Sequence, residues 1–418
     1  MSKQKQGSIR IFDDEDGLNG LARRMEDGLR KVATGFLPQV LSNEEFKKDL
    51  DVLRQRRHAT RSKQVNQTKN EKKTIFDETD ILIVDYDLET FADGFATGEE
   101  VAYLARCYSN CKLIIAINQF VSRGANYFDL TLKGSPTSFA DLNLTSTQLG
   151  SPGLWQEQWT KPLFRPWYWP LIPRALADYK NRLNSLHKDG ALDMSITKTL
   201  EFPETLANSL PRAFKAFVGK HEDLQSVTFR EFVEKSGNGL RAKDAALDDA
   251  QIARIAAARL SKWLEEIVLP SQHILVDAPH LVARFPSLLK RKKKEAPVFD
   301  KTVVFGCDTD ATIDPTVTKQ SRWSAKHWLS RPAWFWELLV GNESIVEVAQ
   351  PWESEPPTVV FCEDVSRFLP RSSVREFIAD LPGPFVRRFV VEPNGKEGRK
   401  YAGELQDVEY DPALKFSV

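Results

Sequence analysis

Apolar and polar positions alternate in blocks along the first third of the chain. Residues 8–12 form a short apolar run, with Ile9, Ile11 and Phe12, that ends in the acidic stretch Asp13, Asp14, Glu15, Asp16. Residues 16–31 repeat Leu18, Leu21, Met25 and Leu29 at three- and four-residue steps, which predicts an amphipathic helix. Residues 81–84 (ILIV) are continuously apolar and stop at Asp85, and 112–117, apolar after Lys112, form a second such segment. Short, continuous apolar runs of this kind fit strands buried on both faces of a parallel sheet. The stretch 93–106 between them predicts a helix, and GANYFDLTLKG, ending at Lys133, predicts a further strand.

This alternation of strand and helix predicts an α/β fold with a doubly wound parallel sheet. Ligands in such sheets collect outside the carboxyl ends of the strands. Asp13, Asp14, Asp85 and Lys133 all stand at predicted strand ends. Clustered carboxylates bind a hard cation such as Mg2+ through oxygen, and a lysine beside them pairs with a phosphoryl oxygen. A carboxylate is also a nucleophile toward phosphorus.

In these residues the chain resembles the receiver domain of bacterial response regulators, over about residues 7–136. The resemblance matches Asp13 and Asp14 to that family's acidic pair, Asp85 to its phosphoacceptor and Lys133 to its lysine. It implies a flavodoxin-like fold, Mg2+ held by Asp13, Asp14 and Asp85, and phosphorylation of Asp85 by a histidine kinase. Asn118 stands where the family has Ser or Thr, and Lys133-Gly134-Ser135-Pro136 replaces Lys-Pro. A pseudo-receiver that docks partners without being phosphorylated is the other form the resemblance allows. Receiver-like domains joined to unfamiliar partners also occur in phage-defence systems, which implies a defence-complex subunit as an alternative partner.

The rest of the chain divides by composition. A charged insertion is expected at about 42–75, with a protruding helix and the basic residues Arg54, Arg56, Arg57, His58, Arg61 and Lys63. Residues 138–173 read as a linker followed by an aromatic, proline-rich segment. Residues 174–297 read as a mainly helical domain. Its clearest helix follows Asp248 or Asp249 and carries the stripe Ile252, Ile255, Ala256, Leu260, Trp263, Leu264 and Ile267. Residues 298–418 read as an α+β domain, with strands at 303–305, 359–361 and 385–391 and a short helix at 372–379.

That last region holds a second carboxylate set. Asp308-Thr309-Asp310 resembles the first motif of haloacid-dehalogenase-type phosphatases, and Glu363-Asp364 follows another predicted strand. The alternative function is therefore a metal-dependent phosphatase; the favoured one is a non-enzymatic regulatory protein. Charge adds little, because Lys+Arg and Asp+Glu both number 58. Nucleic-acid contact is confined to 54–63 or to the basic run 290–294. No apolar run spans a bilayer, the N-terminus lacks a signal peptide, and four scattered cysteines fit a reducing cytoplasm.

Overall fold

The computed structural model describes residues 6–14, 20–61, 72–88, 91, 96–117, 138–156, 167, 169–205, 224–235, 247–285, 288, 313, 318–340, 342, 359–378, 385, 387–392, 395–396 and 398–401. These form two compact units. The first comprises Met1–Trp155 and Ile172–Lys262, and the second Gln156–Leu171 and Trp263–Val418.

Unit 1 is an α/β doubly wound domain. In chain order it has β1 (Gly7–Phe12), α1 (Leu21–Val32), β2 (Phe36–Val40), α2 (Asn43–Arg61), β3 (Ile81–Asp85), a small hairpin of β4 (Asp87–Leu88) and β5 (Ala96–Thr97), α3 (Gly98–Tyr108), β6 (Leu113–Ile117) and β7 (Leu142–Leu144). Five of these strands form one sheet in the order β2-β1-β3-β6-β7, every pair parallel. Every residue of β3 and β6 is buried, as their unbroken apolar runs require. The order reverses between β1 and β3, so the crevice outside their carboxyl ends is the sheet's switch point.

The helices form for legible reasons. α1 buries Leu21, Met25 and Leu29, three of the residues that set its expected stripe. Thr97 caps α3 by accepting the Glu100 N–H. α2 does not protrude, because Phe46, Leu50 and Leu53 are fully buried on its inner face. Three of its arginines are engaged within unit 1. Arg54 pairs with Asp51 and Glu100, Arg56 with Asp77, and Arg57 lies over the Tyr103 ring.

The fifth strand departs from the sequence reading. The edge position beside β6 is taken by Leu142–Leu144, inside the stretch expected as linker. Residues 118–137, with Asn118 and Lys133, lie outside the described residues. Two buried cations set the run-in to β7. Arg259 Nη1 donates to the Ser138 carbonyl at 2.9 Å, and Lys262 Nζ to the Ala140 carbonyl at 2.7 Å. Arg106, fully buried, bonds the Asp141 carboxylate, and the Ile114 N–H donates to the same carboxylate at 2.7 Å. Tyr179, on the helix Ile172–Leu186, lies over the Arg106 guanidinium.

Helices expected in a separate middle domain thus belong to the unit that holds the sheet. The clearest is Asp249–Trp263, with Asp248 as its cap: the Gln251 N–H donates to Asp248 Oδ1 at 2.7 Å, and the Asp248 N–H to Gln251 Oε1 at 2.9 Å. From the expected stripe, Ile252, Ile255, Ala256, Leu260, Trp263 and Leu264 are buried.

Unit 2 contains β8 (Leu275–Asp277), which pairs antiparallel with β9 (Ala333–Phe335). It also contains a four-stranded sheet of β10 (Val359–Cys362), β11 (Arg367–Pro370), β12 (Val374–Ile378) and β13 (Arg387–Val391), in the order β11-β10-β13-β12. The helix expected at 372–379 is instead a 3-10 turn followed by β12, whose Val374–Ile378 pair along β13. The sheet ladder wins over local helix propensity there. The strand expected at 303–305 lies outside the described residues.

Candidate functional site: an acidic cluster at the sheet's switch point

Asp13 and Asp14 directly follow β1, and Asp85 is the last residue of β3. The two strands are in register, Phe12 beside Val84, so the side chains that follow them converge. One carboxylate oxygen from each of Asp13, Asp14 and Asp85 lies within 4.8 Å of the others. This is the convergence that the strand ends implied. The cluster is buried: Asp13, Asp14 and Asp85 are only 5%, 7% and 8% exposed.

Three neighbouring elements shape the cluster. Tyr86 N–H donates to Asp85 Oδ1 at 2.8 Å. Phe91, between β4 and β5, donates its backbone N–H to Asp14 Oδ2 at 3.1 Å. Gly98, at the start of α3, packs against the strand end: a Cβ there would lie 2.3 Å from the Asp85 carbonyl oxygen. Glycine at 98 is therefore a steric requirement of the site.

The electrostatics are those of crowded like charge. Burial, reinforced by Asp13, Asp14 and Asp87, pushes Asp85 up to about 7, against the opposing Tyr86 N–H bond. Asp85 thus exchanges its proton near neutrality. Three carboxylates converging with oxygen donors alone suit a hard cation, which would relieve the repulsion that raises Asp85. Asp87 and Phe91 were not singled out from the sequence. The signal available was an acidic residue two positions after Asp85, followed by an apolar residue in a polar stretch.

The second carboxylate set is arranged differently. Asp308 and Asp310 lie outside the described residues. Glu363 is buried and fully engaged: Arg388 and His280 Nε2 (2.9 Å) meet its Oε1, and Trp167 Nε1 donates to its Oε2 at 2.7 Å. His280 Nδ1 lies 2.7 Å from Asp277 Oδ1. Asp364 accepts the Val391 N–H at 3.0 Å, and burial pushes it up to about 6. Glu363 and Asp364 are thus committed to packing unit 2 and do not open as an acidic pair. The sequence reading gave His280 no role. The signal was Asp277-Ala278-Pro279-His280, in which Asp277 caps the helix Ala278–Arg284, Pro279 stands in its first turn and His280 follows three residues after the cap.

No protein-family model, no curated protein and no solved structure matches this chain. Among the described residues, no helix is long and apolar enough to cross a membrane.

Proposed function

We propose that unit 1 is a receiver-like regulatory module whose phosphoacceptor is Asp85. The observation that carries this reading is the Asp13–Asp14–Asp85 cluster at the switch point of a parallel sheet with receiver strand order. Counted along the sheet, the five strands run 2-1-3-4-5, the flavodoxin-like order. A nucleophilic carboxylate at one strand end beside two more at the next is what phosphoryl uptake at an aspartate requires.

In this reading Asp13, Asp14 and Asp85 hold Mg2+, which when bound offsets negative charge on the phosphoryl oxygens. An Asp85 oxygen attacks phosphorus, the P–N bond of a kinase phosphohistidine breaks, and the departing imidazole takes up a proton. The product is an acyl phosphate on Asp85. The Tyr86 N–H, already on Asp85 Oδ1, orients the carboxylate for attack by its other oxygen. Lys133 and Asn118 are the groups assigned to pair with the phosphoryl oxygens. The arginines of α2 that have partners within unit 1 weigh against a nucleic-acid role for 54–63. The engagement of Glu363 and Asp364 weighs against the phosphatase reading.

The test is incubation with acetyl phosphate and Mg2+, read by intact mass. One phosphoryl adduct is expected, lost on Asp85→Asn and labile to hydroxylamine. An absence of adduct with both acetyl phosphate and phosphoramidate would sink the phosphoacceptor reading and leave a partner-docking pseudo-receiver.

A further inference from the structure

One backbone donor in the acidic site serves two strands. Tyr86 N–H lies 2.8 Å from Asp85 Oδ1 and 3.0 Å from the Ile117 carbonyl oxygen. The carboxylate at the end of β3 and the last carbonyl of β6 therefore compete for it. A hydrogen bond to an ionised carboxylate is roughly twice as strong as one to a neutral acceptor. Any change in the charge on Asp85 shifts that competition.

The peptide that carries this donor touches the first residue of α3. Gly98 N–H donates to the Tyr86 carbonyl at 2.8 Å. A Cβ on Gly98 would overlap the Asp85 carbonyl oxygen and lie 2.7 Å from the Tyr86 Cα, so there is no slack between strand end and helix start. The next residue, Glu99, holds the run-in to β7. Its Oε1 accepts the Phe139 N–H at 2.9 Å, and its Oε2 accepts the Ser138 hydroxyl at 2.8 Å. The helix Asp249–Trp263 grips the same two residues. Arg259 Nη1 donates to the Ser138 carbonyl at 2.9 Å, and its guanidinium lies 4.6 Å over the Phe139 ring. That ring also meets Tyr103 of α3 edge to face at 4.9 Å. Every link from Asp85 to Arg259 lies within unit 1.

We propose that Glu99 couples the acidic site to the helix Asp249–Trp263, by passing movement at the Asp85–Tyr86 peptide to Ser138 and Phe139. With the charge of Asp85 taken up by a cation, the Tyr86 N–H goes to Ile117 and the peptide turns towards β6. Gly98 follows it, and the grip of Glu99 on Ser138 and Phe139 loosens beneath Arg259. Glu99 is a positioning residue here and touches no reacting atom. The proposal rests on the reading of the cluster as a cation-binding phosphoacceptor site, and supplies its route of output. Such coupling is reciprocal: the factor by which a cation loosens the grip is the factor by which the grip weakens cation binding.

The experiment uses the full chain and Mn2+ as probe, with free ion measured by electron paramagnetic resonance. Hydrogen exchange at the Phe139 amide, resolved by overlapping peptides, reads the grip of Glu99. Saturating Mn2+ should speed that exchange about fivefold in wild type. Glu99→Ala should abolish the response and bind Mn2+ tighter by the same factor. Glu99→Gln keeps an acceptor for Phe139 and a partner for Ser138, and should restore both readouts. Without metal, Asp85→Asn should also speed Phe139 exchange, and only when Glu99 is present. Bound Mn2+ with unchanged exchange, or a response that persists in Glu99→Ala, would overturn the coupling while the cation site stands. No Mn2+ bound by any variant, with a Glu99-dependent response to Asp85→Asn, would keep the coupling and remove the cation reading. No binding and no response would remove both. Should Glu99→Ala lose its far-UV spectrum, Glu99→Asp takes its place, since a side chain one carbon shorter does not span both groups.

Discussion

Among the described residues, a cluster of buried carboxylates stands in each unit, and the two are built on opposite principles. In unit 1, Asp85 sits among Asp13, Asp14 and Asp87, and burial and like charge together raise it to about 7. In unit 2, burial also opposes charge on Glu363, but Arg388 and His280 outweigh it and bring Glu363 down to about 2. Asp277 is lowered in the same way, chiefly by His280 and then by Arg331. His280 has a carboxylate on each ring nitrogen, and these raise it against the pull of burial. The ring is further enclosed by Trp167 at 5.0 Å and Phe361 at 5.3 Å. Compensated charge is what a fold uses to hold itself together. Crowded like charge costs stability, and a site that keeps it is suited to a ligand that relieves it.

The sharpest way to break this comparison is to neutralise one acid in each cluster and look for opposite signs. Glu363→Gln leaves the His280 and Arg388 cations without their shared partner. It should destabilise unit 2 by about 3–5 kcal/mol, the usual cost of breaking a buried pair. Hydrogen exchange in β10 and β13 reads this locally, which a two-unit chain requires. Unchanged protection there would mean that the cluster is not structural.

Asp85→Asn should do the reverse. A carboxyl raised in the folded state contributes stability that is fully present below its unfolded value of 3.8 and lost as pH rises through about 7. At pH 8 the substitution should therefore stabilise unit 1, by about 4 kcal/mol, and at pH 4 by close to nothing. Exchange rates in β3 and β6 at the two pH values check it. A loss of protection at pH 8 would show that Asp85 holds the sheet together.

The smallest effect separates the two units by pH alone. His280, raised on folding, contributes stability that is complete below its unfolded value of 6.5 and lost as pH climbs through the folded one. Glu363 works from the other side. Its contribution is complete above 4.5 and lost as pH falls through about 2. Unit 2 should thus hold its stability between about 4.5 and 6.5 and weaken above that range. Nitrogen-detected proton correlation spectra should show both His280 ring nitrogens protonated at pH 6, below the ordinary value that folding raises. A neutral tautomer there would contradict the charge-paired account.

The parts legible in the sequence are those fixed locally. ILIVD and LIIAI are buried on both faces and fit only central strands, so the apolar pattern alone puts Asp85 at a strand end. Asp13 and Asp14 follow from the same logic. β7 escapes sequence reading because three residues, LNL, carry almost no pattern of their own. Their place is set by β6 and by Arg106, Arg259 and Lys262, which come from far along the chain. Beyond the local Asp277–His280 pair, the His280 cluster is illegible for the same reason: Trp167, Glu363 and Arg388 are scattered along the chain. The Phe91 N–H on Asp14 is a backbone contact, which no side-chain pattern announces.

The exchange of segments between the units sets a timetable for synthesis. Trp167 belongs to unit 2, yet its partner Glu363 is 196 residues further on. A ribosome adding about 5–20 residues per second delivers that partner roughly 10–40 s later. Through that interval an indole destined for the interior stays exposed on the nascent chain. Unit 1 is incomplete too, because the helix that steadies β7 ends only at Trp263. Unit 2 cannot close around Trp167 until Glu363 is made, so a premature stop between the two leaves the indole without its acceptor.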